Sequence, residues 1–172
     1  MCDSAESGPE PEMVTIVDGM DGVIGSIARP LMRLKGSIYR VTYILIFNDS
    51  GLLLVQKRTE SKDQYPGRLD LAAGGVVAFN EGYEESAQRE LFEELGSRAE
   101  LVDHGKAYFE DRTCEPVNRN WGRIYSCVDD GPFRLQPSEV SEAQFMDIDT
   151  ALALPPDQVT PDTRQALITY LL

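Results

Sequence analysis

Three glutamates in one short stretch, Glu90, Glu93 and Glu94, are the residues of this chain whose type and spacing best suit chemistry. On a helix over residues 82–95 they fall within about 100° of one another, beside a core-facing apolar stripe. Like charges one turn apart repel one another, whereas a bound cation attracts each of them and makes the cluster favourable. Clustered carboxylate oxygens are the ligands that Mg²⁺ or Mn²⁺ prefers. The spacing therefore predicts either a divalent-metal site or a solvated acidic face of the helix.

The helix that carries these glutamates has a clear core side and a clear end. Its core-facing positions are Ala87, Leu91, Phe92 and Leu95. Gly96 follows as the left-handed cap residue. A glycine pair, Gly74-Gly75, stands before the helix where a strand should end. The apolar stripe and the glycine pair together make a metal site as well supported as a solvated face.

The rest of the chain predicts an α+β domain with a mixed sheet. Apolar runs predict an N-terminal β-hairpin at 13–17 and 23–28, and strands at 40–47, 52–56, 101–109, 123–128 and 145–148. Helices are expected at 30–34 and 161–172. The strand at 40–47 is apolar on both faces, so we expect it inside the sheet. Residues 57–73 form a long polar connection, which in a compact domain is usually functional.

Composition and charge exclude several classes of function. The chain has 172 residues, enough for one domain, and a net charge of −13. A chain this acidic is a poor ligand for nucleic acid or an anionic membrane surface. No apolar run approaches the roughly 18 residues of a membrane span. We therefore expect no nucleic-acid partner and no membrane partner.

Two further expectations concern the chain's ends and its compartment. Residues 1–12 are acidic and almost free of apolar side chains, so we predict a disordered tail followed by one domain over 13–172. The cysteines are Cys2, Cys114 and Cys127, an odd number with no C-x-x-C pair. That usage fits a reducing compartment and predicts a cytoplasmic protein.

The stretch from Gly75 to Ser97 resembles the Nudix box, G-x5-E-x7-R-E-U-x-E-E-x-G-U, where U is a bulky aliphatic residue. The matching positions are Gly75, Glu81, Arg89, Glu90, Leu91, Glu93, Glu94 and Gly96. Ser97 alone departs from it, at the last U position. The resemblance implies a Nudix-type α/β/α sandwich with a mixed sheet. It also implies a hydrolase that uses Mg²⁺ or Mn²⁺ to cleave a nucleoside diphosphate linked to another group X.

The same resemblance implies roles for the site residues. Glu90 and Glu94 would bind the metal, and Glu93 would be a third ligand or a base acting through water. Arg89 would orient these carboxylates through an ion pair with Glu81 or its neighbours. Nudix hydrolases often use a further glutamate from the loop before the last strand, which would be Glu139, with Glu142 as the alternative.

The loop at 56–62, together with Tyr65-Pro66-Gly67, resembles isopentenyl diphosphate isomerases, a branch of the same fold. In those enzymes the basic residues at the places of Arg58 and Lys62 bind a diphosphate, so both are expected to bind substrate. The isomerases' catalytic cysteine falls on Gly74, a nearby histidine ligand on Val76, and two later acidic ligands on Asn118 and Asn120. Hydrolysis is therefore favoured. An isomerase-like enzyme and a non-catalytic Nudix-fold binding module are the alternatives.

The identity of X is not readable from the residues. No dinucleotide fingerprint is present, and the best candidate for a pocket wall is Trp121, because residues 118–122 suggest a loop entering a strand. We expect a small-molecule diphosphate as substrate and leave a homodimer open.

Overall fold

The computed structural model describes residues 9–172, so residues 1–8 of the predicted acidic tail lie outside the described residues. Its strands are β1 Met13–Val17, β2 Val23–Ala28, β3 Ile38–Phe47, β4 Leu53–Arg58, β5 Leu69–Asp70, β6 Val102–Asp111, β7 Asn118–Val128 and β8 Val140–Met146. Its helices are α1 Arg29–Leu34, α2 Tyr83–Leu95, α3 Ile148–Ala153 and α4 Pro161–Leu171. Within residues 9–172, no helix is long and apolar enough to cross a membrane.

The strands form one open, mixed, eight-stranded sheet. Its main order is β2-β1-β3-β4-β5, and β8 is antiparallel to β4. β7 runs parallel to β3 along the whole of β3, and β6 is antiparallel to β7. β3 therefore lies inside the sheet, as its two apolar faces predict.

Alternate side chains of β3 belong to two cores on opposite faces of the sheet. Tyr43 and Leu45 pack in a core that also contains Leu167 of α4. Ile44 and Ile46 pack in the other core with α2, whose buried apolar residues are Ala87, Leu91 and Leu95. Because helices cover both faces, the architecture is the predicted α/β/α sandwich.

The N-terminal hairpin is confirmed at the predicted residues, and it is held against α2. The carboxylate of Asp21, in the hairpin turn, accepts hydrogen bonds from Arg40 Nε at 2.7 Å, Lys106 Nζ at 2.6 Å and the Tyr83 hydroxyl at 3.1 Å. Burial opposes ionisation of Asp21, but the bonds from Lys106 and Arg40 outweigh it and lower its pKa. Since Tyr83 begins α2, this cluster sets the hairpin beside the helix of glutamates.

Two predicted strands begin earlier than expected. β7 starts at Asn118, so the predicted loop at 118–122 is wrong: these residues pair with the beginning of β3 on one side and with β6 on the other. β8 starts at Val140, not near Phe145, because it pairs with β4. In both cases the partner strand is distant in sequence and compensates for a polar local composition.

The structure also adds short elements that the pattern did not predict. α3 begins after Asp147, whose side chain accepts a hydrogen bond from the Thr150 amide at 2.8 Å, an ordinary N-cap. The polar connection at 57–73 is shorter than expected, since β4 continues to Arg58 and Leu69–Asp70 form β5. What remains between them is a loop over residues 59–68.

Candidate active site

Gly74 and Gly75 let the chain pass closely between β3 and α2. Gly74 has a φ of +122°, and a Cβ there would lie 2.1 Å from the backbone oxygen of Thr42 in β3. A Cβ on Gly75 would lie 2.7 Å from Oε1 of Glu90. Glycine at 74 thus permits contact with the strand, and glycine at 75 leaves room for a carboxylate.

Glu90 and Glu94, one turn apart on α2, lie next to this glycine pair. The Gly74 amide donates a hydrogen bond to Glu94 Oε2 at 3.3 Å. Burial, and then the charge of Glu90, raises the pKa of Glu94 to about 8. Burial also raises the pKa of Glu90, although Arg89 opposes that shift. A buried carboxylate, Glu94, beside a partly buried one, Glu90, whose charge disfavours its ionisation, forms a donor set that a divalent cation would stabilise.

Arg89 holds the carboxylates around it in fixed positions. Its Nε and Nη2 bond the two oxygens of Glu81 at 2.7 and 3.0 Å, and its Nη1 bonds Glu90 and Glu93 at 3.0 Å each. These bonds raise the pKa of Arg89 above its ordinary value. Burial opposes ionisation of Glu81, but the bonds from Arg89 and the Ala78 amide lower its pKa. Arg89 therefore ties the loop before α2 to the helix and orients Glu90.

Glu93 differs from the other two glutamates in its surroundings. Its side chain is 47% exposed, and its carboxylate is bound by Arg89. Over the described range 9–172, no three Asp, Glu, His or Cys side chains are arranged to hold a metal ion together. Glu90 and Glu94 therefore lie on the inner side of this helix face, and Glu93 lies on its solvent side.

A cavity of about 340 Å³ opens beside the glycine pair. Both glycines line it, as do Glu139 before β8 and Asp162 of α4. Four cationic side chains also line it, namely Arg29, Arg33, Arg58 and Lys62. Glu139 and Asp70 of the cavity wall both raise the pKa of Glu94, so cavity and glutamates form one electrostatic site.

Arg58 lines the cavity but is also tied into the protein. Its Nη1 donates to Asp70 Oδ2 at 2.9 Å, and its Nε and Nη2 donate to the backbone oxygen of Gln64 at 3.1 and 2.9 Å. Burial opposes the charge of Arg58, but Asp70 outweighs it and raises the pKa. This arginine therefore holds the loop over residues 59–68 against β5.

The structure separates the two candidate loop glutamates. Glu139 lines the cavity and forms a short ion pair with Nζ of Lys62. Glu142 lies on β8, is 76% exposed in its side chain, and pairs with Lys57 at 4.0 Å. Only Glu139 lies at the cavity, whereas Glu142, expected in the same loop, belongs to β8.

Two cavity cations were missed by sequence reasoning, Arg29 and Arg33 of α1. The sequence signal for them was their separation by four residues, which places two like charges on one face of a helix, as it does for Glu90 and Glu94. The predicted pocket wall Trp121 is wrong, because it lies in β7 against Tyr108, with ring centroids 5.6 Å apart, and does not line the cavity.

The positions that correspond to isomerase catalytic groups hold structural residues. No side chain fits at Gly74, and Val76 is buried in a core. Asn118 accepts a hydrogen bond from the Tyr39 hydroxyl at 2.5 Å, and Asn120 accepts one from Tyr43 at 3.2 Å. These amides support β3 from the neighbouring strand.

The one departure from the motif is also accounted for by local contacts. Ser97 is buried, and its hydroxyl forms a short hydrogen bond with Asp129 and accepts one from the Ala99 amide at 3.2 Å. Polar contacts thus replace aliphatic packing after the helix.

Comparison with known proteins agrees with this geometry. A family model described as the NUDIX domain matches residues 38–168. The uncharacterized Nudix hydrolase PA4841 of Pseudomonas aeruginosa is 47% identical over 167 residues, covering 94% of this chain and 95% of that protein. The uncharacterized Nudix hydrolase YfcD of Escherichia coli is 44% identical over 161 residues, covering 93% of this chain and 87% of its own length.

The same fold is found in a solved structure. The crystal structure of DR0079 from Deinococcus radiodurans matches with a TM-score of 0.80 at 24% identity, covering 94% of this chain and all of that one. The family match and the two relatives show more than the fold. This chain therefore belongs to the Nudix family and is a Nudix hydrolase.

Proposed function

We propose that this enzyme is a divalent-metal-dependent hydrolase that cleaves a diphosphate linkage in a nucleoside diphosphate joined to another group X. The observation that carries the proposal is the pair of Glu90 and the buried Glu94, which lies next to a glycine pair that lines a cavity with four cations. A site that combines carboxylates with cations suits a metal-bound diphosphate.

The proposed roles follow from the contacts. Glu90 and Glu94 would hold Mg²⁺ or Mn²⁺, which when bound lowers the pKa of water and neutralises phosphate charge. Arg89 fixes the orientation of Glu90 through its Nη1. Glu139, at the cavity, is the proposed base, while Glu93 is the alternative base or a third ligand.

Hydrolysis forms a bond from a water oxygen to one phosphorus and breaks the bond from that phosphorus to the bridging oxygen. A proton of the water passes to a carboxylate oxygen, proposed to be on Glu139. Lys62 holds this carboxylate, and Lys62 and Arg58 are proposed to bind the diphosphate. The cytoplasmic location and a homodimer remain predictions.

The isomerase-like alternative is supported by the resemblance of the loop around Arg58 and Lys62. It is opposed by Gly74, where no cysteine side chain fits. Isopentenyl diphosphate incubated with Mg²⁺ should therefore give no dimethylallyl diphosphate above an enzyme-free blank. Product above that blank would make the isomerase reading the better one. A binding module without catalysis predicts no turnover of any diphosphate.

The test of the hydrolase begins with a library of nucleoside diphosphate derivatives, screened with Mg²⁺ and with Mn²⁺ for phosphate-containing products. On a confirmed substrate, Glu94→Gln should lower kcat by about a hundredfold or more. Mg²⁺ should raise the melting temperature of the parent more than that of the variant, because a ligand stabilises the state that binds it.

The matched control is Glu85→Gln, an exposed glutamate in the first turn of the same helix. It should keep the parental turnover and the parental response to Mg²⁺. Parental turnover in Glu94→Gln would show that the metal site is wrongly placed.

A further inference from the structure

The four cations that line the cavity differ in whether they have a carboxylate partner. Three of them are paired, Arg29 with Glu12, Arg58 with Asp70, and Lys62 with Glu139. Arg33 forms no ion pair with any carboxylate among residues 9–172. Its Nε is shielded from solvent and has no hydrogen-bond partner in that same range. The feature that calls for an explanation is a guanidinium that lines the cavity without a carboxylate to balance its charge.

Arg33 lies one helical turn beyond Arg29, on the same face of α1. Residues four apart on a helix follow each other at about 6 Å along its axis. The charge of Arg29 acts on Glu90. The guanidinium of Arg33 instead lies 5.9 Å from the ring centroid of Tyr39, at the beginning of β3. Two cations therefore follow each other along one wall, and only the second lacks a carboxylate.

We propose that Arg33 receives a terminal phosphate of the substrate. This inference rests on the proposed function and narrows the substrate class: the group X ends in a free phosphate, as it does where X is itself a phosphate. A planar guanidinium binds phosphate oxygens through paired hydrogen bonds. A terminal phosphate offers three free oxygens and up to two charges, whereas a phosphate linked on both sides offers two oxygens and one charge.

Binding is tested without turnover, with methylenediphosphonate as the probe, since its P–C–P bridge cannot be hydrolysed. Calorimetric titrations with and without Mg²⁺ compare the parent with Arg33→Gln, Arg33→Lys and Lys35→Gln. Lys35 is the exposed C-cap residue of the same helix and controls for the loss of one positive charge.

Arg33→Gln should weaken binding of the probe about tenfold or more, the scale of one charge-assisted contact. Arg33→Lys should bind with intermediate affinity, and Lys35→Gln should stay within about twofold of the parent. Equal affinities of Arg33→Gln and Lys35→Gln would overturn the proposal. If Arg33→Gln fails to fold, Arg33→Lys decides, because loss of the paired hydrogen bonds should still weaken binding about threefold.

Kinetics then test the terminal position of the phosphate. Arg33→Gln should lower kcat/KM about tenfold or more for a nucleoside triphosphate but less than about threefold for a dinucleoside diphosphate. Equal losses on both substrates would overturn the terminal assignment. If the parent hydrolyses no substrate at all, the proposed function fails, while the calorimetric comparison still decides the role of Arg33.

Discussion

The backbone amide of Gly74 donates a hydrogen bond to the carboxylate of Glu94, so the chain beside β3 contacts the helix of glutamates directly. The same residue passes so close to Thr42 that a Cβ cannot be placed there. Gly74 therefore contacts both β3, at Thr42, and α2, at the carboxylate of Glu94. Its substitution should affect folding as well as the site.

Gly74→Ala should lower the melting temperature by about 5 °C or more. A φ of +122° and a Cβ 2.1 Å from a backbone oxygen together cost several kcal/mol, and in a domain of this size about 1 kcal/mol corresponds to roughly 2–4 °C. Gly82→Ala is the control, since its φ is −81° and no atom lies near its Cβ position. Equal melting temperatures of the two variants would contradict the close contact at Gly74.

The metal-free protein should lose stability as the pH rises from about 4.5 to about 8. Burial, then Glu90, raises the pKa of Glu94 from 4.5 to about 8. Between these values the folded state keeps a proton that the unfolded state has released, so the free energy of unfolding falls with rising pH. Urea denaturation in the presence of a metal chelator, repeated across this pH range, measures the free energy of unfolding. Glu94→Gln should remove this part of the pH dependence, and parallel curves for the two proteins would contradict the raised pKa.

Arg58→Ala should destabilise the fold as well as weaken substrate binding. The side chains of Arg58 and Asp70 are only 18% and 16% exposed, so the substitution leaves the Asp70 carboxylate without its cation and with only the Thr160 hydroxyl as a side-chain donor. We expect a decrease in melting temperature of about 4–10 °C. Arg112→Ala is the control, because Arg112 pairs with Glu110 at 2.9 Å but is 80% exposed. Its melting temperature should change by less than about 2 °C.

Lys62→Gln and Lys57→Gln should differ in activity although each removes one lysine–glutamate pair next to β8. Lys62 holds Glu139 at the cavity, whereas Lys57 pairs with the exposed Glu142 at 4.0 Å. The first variant should lose about tenfold in kcat/KM, and the second should stay within about twofold. Equal values on a confirmed substrate would exclude a role for Lys62, and for its pairing with Glu139, in catalysis.

The elements that could be predicted from sequence are those with local signals. The hairpin at 13–28 surrounds a glycine-rich turn, and α2 ends at Gly96 in the left-handed conformation. Residues 118–122 could not be predicted, since their strand exists through pairing with β3, about 80 residues earlier in the chain. Tertiary pairing there overrides a polar composition that favours a loop.

The candidate site likewise has one part that the sequence predicts and one part that only the fold brings together. Glu90, Glu93 and Glu94 share one helix, so their spacing alone brings them together. The cavity wall opposite them combines α1, the loop after β4, the residues before β8 and the start of α4. No sequence spacing relates Arg33 to Asp162, because only the fold makes them neighbours of one cavity.

Arg29 and Arg33 lie before the residues that match the family domain, and this position affects how relatives of the enzyme can diverge. Both precede residue 38, where the match to the NUDIX domain begins, whereas α2 lies well inside it. Two of the four cavity cations thus come from a segment that the family model does not include, in which Arg29 pairs with Glu12 and Asp21 of the hairpin turn binds Arg40 of β3. With Arg33 as the proposed phosphate contact, the catalytic helix and this contact lie in different parts of the chain, so one can change while the other is kept. Exchanging residues 13–37 between relatives would then transfer substrate preference while the catalytic helix stays unchanged.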